Sequence, residues 1–262
     1  MTLNEKREFL DAKVRYYQRP EFLESDPIQI PHAFDRKEDI EISGFLAATI
    51  AWGNRKSIIR SGGLLMELMG NSPLDFVLQA KEADFRNLQG FVHRTFNAAD
   101  LKTFILCLRH VYQNHGGLES LFTRYASLGM QPAIGKVREH FFEIPHAART
   151  RKHFSDPGRG SAAKRLNMFL RWMVRPPEAG VDFGLWDSIS PSLLSCPLDV
   201  HSGKVARALG LLKRKQNDAK AVAELDRSLR KLDPADPVKY DFALFGLGVF
   251  EGFPSTRKDP DR

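Results

Sequence analysis

The chain has 262 residues, 42% of them hydrophobic, and 39 Lys/Arg against 32 Asp/Glu give it a net charge of +7. That length buries a substantial core as one large domain or two small ones, and 19 glycines with 15 prolines exclude a disordered or fibrous polypeptide. Only Cys107 and Cys196 are present, which excludes a disulfide framework and a four-cysteine iron–sulfur or zinc site; both are expected as buried free thiols, with no metal and no cofactor.

The amino terminus, Met1-Thr2-Leu3-Asn4-Glu5-Lys6-Arg7-Glu8, is charged and lacks the apolar core of a signal peptide. The longest uncharged apolar run, residues 42–54, is too short to span a bilayer. The chain therefore reads as soluble and cytoplasmic, with no membrane partner and no obligate protein partner evident. An acidic group, Asp35, Glu38, Asp39 and Glu41, reads as solvated surface rather than a magnesium site.

Helical periodicity then dominates in chain order. Gly44–Ile50 is apolar and ends at Trp52-Gly53-Asn54; Ile58, Leu64, Leu65 and Leu68 mark a second helix that stops near Gly70-Asn71-Ser72-Pro73. Leu74, Phe76, Val77 and Leu78 begin a short third. Leu101, Phe104, Ile105 and Leu108 place another over 99–113, and Ile134, Val137, Phe141 and Phe142 mark one more. No alternating strand run with hairpin turn chemistry stands out, and the fold class read from the pattern is all-α.

Residues 161–174 form the best-defined helix, with Ser161 as N-cap, a buried stripe of Leu166, Phe169, Leu170 and Met173, and a polar stripe of Lys164, Asn167, Arg171 and Arg175 free of acids. A glycine-rich turn, Asp156-Pro157-Gly158-Arg159-Gly160, opens it. Between 149 and 175 stand eight Lys/Arg against the single acid Asp156, an excess equal to that of the whole chain. Lys204, Arg207, Lys213, Arg214 and Lys215 form a second basic group. Clustered positive charge fits a phosphate-backbone partner.

Asp199 precedes a helix whose polar side carries His201, Lys204 and Arg207. On residue type alone Asp199 is an N-cap, Lys164 a phosphate-binding or solvated lysine, and Trp52 a core tryptophan beside a turn; each also admits a functional role. Gly158 and Gly160 would let backbone N–H groups approach a phosphate. A helix over 221–232, with Val222, Leu225, Leu229 and Leu232 on one side, stops at Asp233-Pro234, and a nearly uncharged apolar helix over 240–250 contains Gly246 and Gly248, placed for close packing.

In order, Leu198-Asp199-Val200-His201, Val205-Ala206-Arg207 and Phe242-Ala243-Leu244-Phe245-Gly246-Leu247-Gly248 resemble the V-D-T-H-V-x-R-V and H-x-x-L-x-x-x-G segments of the helix-hairpin-helix DNA glycosylase superfamily, the endonuclease III type. Phe45–Asn54 is similar to its early helix and the turn that reaches the flipped base. More closely, the chain looks like a member of an uncharacterised bacterial family placed beside these glycosylases. The usual hairpin L-P-G-V-G is here Asp156-Pro157-Gly158-Arg159-Gly160; Ala162 falls where bifunctional members carry lysine, and Lys164 follows two residues later, a displacement shared with an archaeal 8-oxoguanine glycosylase branch. Gly53 takes the place of the base-separating glutamine, and the iron–sulfur cysteine loop is absent.

The resemblance implies a two-lobed all-α fold with an interlobe cleft: a central lobe over residues 40–190 holding the hairpin, a second lobe of 1–39 plus 191–254, and a tail, 255–262. It implies base-excision repair of an oxidised base such as 8-oxoguanine, or an alkylated one, in duplex DNA by attack at C1′. Asp199 would be the catalytic carboxylate, stabilising charge at C1′, orienting water or deprotonating a lysine, and Lys164 the candidate nucleophile of an added AP-lyase step, which needs a neutral amine favoured by desolvation or by a neighbouring cation such as Arg165. Gly158, Arg159, Gly160, Ser161, Arg165, His201 and Lys204 would contact DNA, and Trp52 would line the base pocket. The alternative is a non-catalytic DNA- or RNA-binding protein that keeps the fold.

Overall fold

The computed structural model describes residues 1–254, so the expected tail at 255–262 lies outside the described residues. Helices dominate. In chain order they are α1 (Leu3–Tyr17), α2 (Lys37–Ile50), α3 (Arg55–Leu68), α4 (Pro73–Gln79), α5 (Glu82–Arg86), α6 (Ala98–Asn114), α7 (Gly117–Tyr125), α8 (Met130–Phe141), α9 (Lys164–Val174), α10 (Val200–Ala208), α11 (Ala219–Leu232) and α12 (Tyr240–Val249). One antiparallel ribbon interrupts them, β1 (Val92–His93) with β2 (Phe96–Asn97), pairing Val92 with Asn97 and His93 with Phe96. Two-residue strands carry too little alternation for a sequence pattern to show. Among the described residues no helix is long and apolar enough to cross a membrane.

The side chains fall into two hydrophobic clusters. The larger runs from Tyr17 to Leu194 and adds Val238 and Phe242 from the end of the chain. Its axis is α2, in which every residue from Ile40 to Ile50 is buried, the pattern of a helix enclosed on all sides. Gly44 lets α9 approach closely: a methyl there would lie 3.3 Å from Met173 Cε. The smaller cluster joins Leu10 and Val14 of α1 to Cys196, Leu198 and the inner faces of α10, α11 and α12. Tyr17, Phe22, Ile28 and Ile30 belong to the larger cluster, so within the amino-terminal segment expected to join the second lobe only α1 contributes to the smaller one. Both thiols are free and buried.

Some local expectations are corrected. The helix expected from Ser161 begins at Lys164: Ala163 takes a left-handed φ of 46° as N-cap, and Ser161 Oγ accepts from Ala163 N instead of capping. Glu41 is not solvated; it is 3% exposed and accepts from Tyr112 Oη at 2.6 Å and Trp186 Nε1 at 2.8 Å. Leu64 faces solvent.

Glycine positions in α12 and α8 separate packing from propensity. A methyl on Gly246 would sit 2.3 Å from the buried Tyr17 ring, whereas one on Gly135 meets nothing within 4 Å. Gly246→Ala should cost roughly 1–3 kcal/mol in urea unfolding, and Gly135→Ala, inside α8, should gain roughly 0.5–1 kcal/mol.

Asp226 of α11 gives a pH dependence. Its carboxylate is buried, accepts from Cys196 N at 2.9 Å, and burial pushes its pKa up to about 6. The unfolded chain releases this proton near pH 4 and the folded chain near 6, so the folded state binds more protons in between. The group's unfavourable contribution is therefore absent below about pH 4 and complete above about pH 6, roughly 3 kcal/mol at most. Unfolding of Asp226→Asn between pH 4 and 7 should show the variant gaining stability relative to the parent as pH rises.

Candidate active site

Between the two clusters opens a cleft of about 720 Å³, walled by the turn between α2 and α3, the 160–165 segment, the start of α10 and one side of α12. Trp52, Gly160, Ser161, Lys164, Arg165, Asp199 and His201 all line it. Gly158, Arg159 and Lys204 do not; they are exposed outside the cleft.

Asp199 caps α10. Its Oδ1 accepts from Ser202 N at 2.8 Å and Ser202 Oγ at 3.1 Å, while Asp199 N donates to Ser202 Oγ at 2.9 Å. This reciprocal capping box satisfies helix donors with one carboxylate oxygen. The other oxygen, Oδ2, lies 3.5 Å from Lys164 Nζ, the first residue of α9. The two side chains stay 34% and 18% exposed, so the pair is open to the cleft. The cap thus leaves one carboxylate oxygen of the same residue turned toward Lys164.

The backbone beside Asp199 is braced. Asn217 Nδ2 donates to Asp199 O at 2.7 Å, and Arg207 Nη2 donates to Asn217 Oδ1 at 2.6 Å. Ala219 N, at the start of α11, donates to Gly160 O at 3.0 Å and ties the glycine turn to the same corner. On the other side Gly248 lies against His201, where an added methyl would approach the His201 backbone to 3.2 Å. Both α12 glycines therefore serve close packing.

The glycine turn differs from the expected phosphate cradle. Pro157–Arg159 is a 3-10 turn in which Arg159 N and Ser161 N donate to Asp156 O and Gly160 N donates to Pro157 O. Those N–H groups are engaged within the turn. What it offers outward is the exposed Arg159 and a Gly160 at φ 90°, a backbone shape an L side chain strains to adopt.

The basic stripe of α9 also differs. Arg171 and Arg175 are buried, each 3% exposed. Arg171 donates to Asp241 at 2.6 Å and Asp182 at 3.2 Å; Arg175 pairs with Asp182 and with Asp236, the latter at 2.8 Å. Asn167 is buried too and accepts from Gln131 Nε2 at 2.9 Å. Arg165, expected on phosphate, donates to the carbonyls of Thr49 and His153 and lies over the Trp52 ring at 4.6 Å; burial pushes its pKa down to about 10. Arg149 pairs with Asp100 at 2.9 Å, and Arg214 of the second basic group with Asp218. Internal bonding consumes much of the charge that had pointed to a nucleic-acid face.

Trp52 is half-buried and fixed by Arg165, by His93 edge-on at 5.3 Å and by His153 stacked at 6.0 Å, with its remaining surface in the cleft. Three further polar residues of the cleft went unread in the sequence. Asp26 is 7% exposed and burial raises its pKa; Asp241 is likewise buried. Arg55 lies over Phe245 at 4.6 Å, and its buried Nη2 has no hydrogen-bond partner among the described residues. Their acidic and basic partners are far apart in sequence, so no local pattern marks them.

Removing the Arg171 guanidinium leaves the buried Asp241 without its ion-pair partner and Asp182 with Arg175 alone. Arg171→Ala should cost roughly 3–5 kcal/mol in denaturant unfolding.

No curated protein and no solved structure matches the chain. The family model described as "Protein of unknown function (DUF2400)" matches residues 26–250, most of the chain, and the protein belongs to that family.

Proposed function

We propose that the protein is a DNA glycosylase of the helix-hairpin-helix type, the two hydrophobic clusters serving as its lobes and the cleft between them receiving a nucleotide turned out of the duplex. The observation that carries this reading is the 3.5 Å approach of Lys164 Nζ to the free oxygen of Asp199 inside a cleft that also holds Trp52. Its volume, about 720 Å³, falls in the range of small-molecule sites and accommodates one nucleoside.

Breaking an N-glycosidic bond builds positive charge on the sugar at C1′, and the Asp199 carboxylate is placed to stabilise it. With Lys164 as nucleophile, its ammonium passes a proton to Asp199, the amine attacks C1′, and the bond to the base breaks with the electron pair leaving on the base. Opening of the sugar ring then gives an imine, from which elimination cleaves the strand on the 3′ side. With water as nucleophile, Asp199 accepts the proton of the attacking water and the sugar stays intact. Trp52 offers a stacking surface, while Arg55 and Asp26, a carboxyl whose neutral form burial favours, offer hydrogen bonds to a base edge. Arg159, His201 and Lys204, exposed around the opening, supply contacts to the phosphates of duplex DNA.

Duplexes carrying 8-oxoguanine, uracil, an alkylated purine or an abasic site, incubated with the protein in the presence of borohydride, test this. The amine route predicts a covalent adduct that Lys164→Ala abolishes. The water route predicts base release that survives Lys164→Ala and falls at least about 100-fold in Asp199→Asn. Binding without base release on every lesion would overturn the enzymatic reading in favour of a binding protein.

A further inference from the structure

Outside the cleft, three histidines and one carboxylate converge where α6 and α8 end. His110 lies one turn before the end of α6 and His115 is its C-cap; His140 lies in the last turn of α8 and Glu143 just beyond that helix. Nε2 of His110 and Nε2 of His115 are 3.3 Å apart, and Glu143 Oε2 is 2.8 Å from the first and 3.2 Å from the second. One ligand atom from each of these three residues falls within a 4.8 Å sphere of mutual distances. Two donor nitrogens at about 2.0–2.1 Å from one tetrahedral zinc ion stand roughly 3.3 Å apart, which is the separation found here.

The surroundings favour a cation. The carboxyl ends of two helices meet at this point, each carrying partial negative charge. Glu143 is oriented from behind: Tyr125 Oη lies 2.6 Å from His140 Nε2, and His140 Nδ1 lies 2.5 Å from Glu143 Oε1. A hydroxyl donating to Nε2 leaves the His140 proton on Nδ1, where it donates to Oε1 and leaves Oε2 turned toward the other two imidazoles. Asn114 Nδ2 donates to His110 O at 3.0 Å and lies 3.1 Å from His110 Nδ1, which holds the ring in place with Nε2 turned toward His115 and Glu143.

We infer that His110, His115 and Glu143 form a binding site for a divalent transition-metal ion of the zinc type, closed on the protein side by two imidazoles and one carboxylate and open to solvent at the fourth position. Tyr125 and His140 are positioning residues that act through Glu143. Two nitrogen donors and three protein ligands disfavour calcium, which takes six to eight oxygens, and magnesium, which takes six. None of these residues lines the cleft, so the ion clasps the carboxyl ends of α6 and α8 independently of the Lys164–Asp199 pair.

The test uses the full chain stripped with a chelator and titrated with Co²⁺ alone, followed by displacement with Zn²⁺. One Co²⁺ per chain should bind with an intense visible absorption of low-coordinate cobalt, and one equivalent of Zn²⁺ should abolish it while Mg²⁺ in excess does not. His110→Ala, His115→Ala and Glu143→Gln should each weaken Zn²⁺ binding tenfold or more. Tyr125→Phe should weaken it a few-fold and shift the cobalt band, a change that a merely structural tyrosine would not produce. Circular dichroism of the stripped variants reports their folding, and Glu143→Gln, on an exposed side chain, carries the test should a histidine variant fold poorly. Absence of stoichiometric binding, equal competition by Mg²⁺, or binding unchanged in all three ligand variants would overturn the assignment.

Discussion

Arg171 and Arg175, one turn apart on α9, hold Asp182 from the loop that follows, Asp236 from the turn before α12 and Asp241 from the first turn of α12. Arg171 also lies over the Phe242 ring at 4.2 Å. Charges this deep cost several kcal/mol each to desolvate and are tolerated only when every one is matched. Matching them fixes α12 against α9, and with it the smaller cluster against the larger. Because the cleft lies along that junction, and Arg171 and Asp241 form part of its floor, the ion network sets where Lys164 on one side meets Asp199 on the other.

The remaining supports act on the same geometry at shorter range. Asp199 is held by its own helix cap, its carbonyl by Asn217, and the start of α10 by the close approach of Gly248 to His201. A carboxylate that directs one oxygen to backbone N–H groups can turn only its other oxygen outward, so the direction of Oδ2 is determined by the cap. Lys164 gains its place from the left-handed Ala163, which delays the start of α9 until the lysine is its first residue. Packing alone would leave the Asp199 side chain several rotamers to choose from; its bond to Ser202 N removes that freedom.

The cluster at the ends of α6 and α8 has a different character. It is partly exposed, has no counterpart in the cleft, and draws its ligands from the ends of α6 and α8, which pack against each other and against α7. The large core is built apart from it, α2, α6, α8 and α9 burying an aromatic group around Phe45, Phe104, Phe141 and Phe169. An ion at that site would order the helix ends.

Several features were determined by the sequence alone. Apolar spacing in residues 99–113 and 221–232 located α6 and α11 to within a few positions, because helical period and burial coincide there and no distant partner competes. The acid before α10, and the glycines of α12 as packing positions, were equally legible, since capping and close approach are local chemistry. Tertiary structure decided the rest. A run of same-sign charge on one face of α9 looks like a face for phosphate when read locally, yet Arg171 and Arg175 are interior because their acids stand at 182, 236 and 241. Likewise a Pro-Gly-x-Gly turn promises free N–H groups, but whether they face outward or bond within the turn depends on backbone angles that side-chain type does not fix. The meeting of residues 164 and 199, and of 110, 115 and 143, follows from the same cause: convergence across long stretches of chain is a property of packing, and no local period records it.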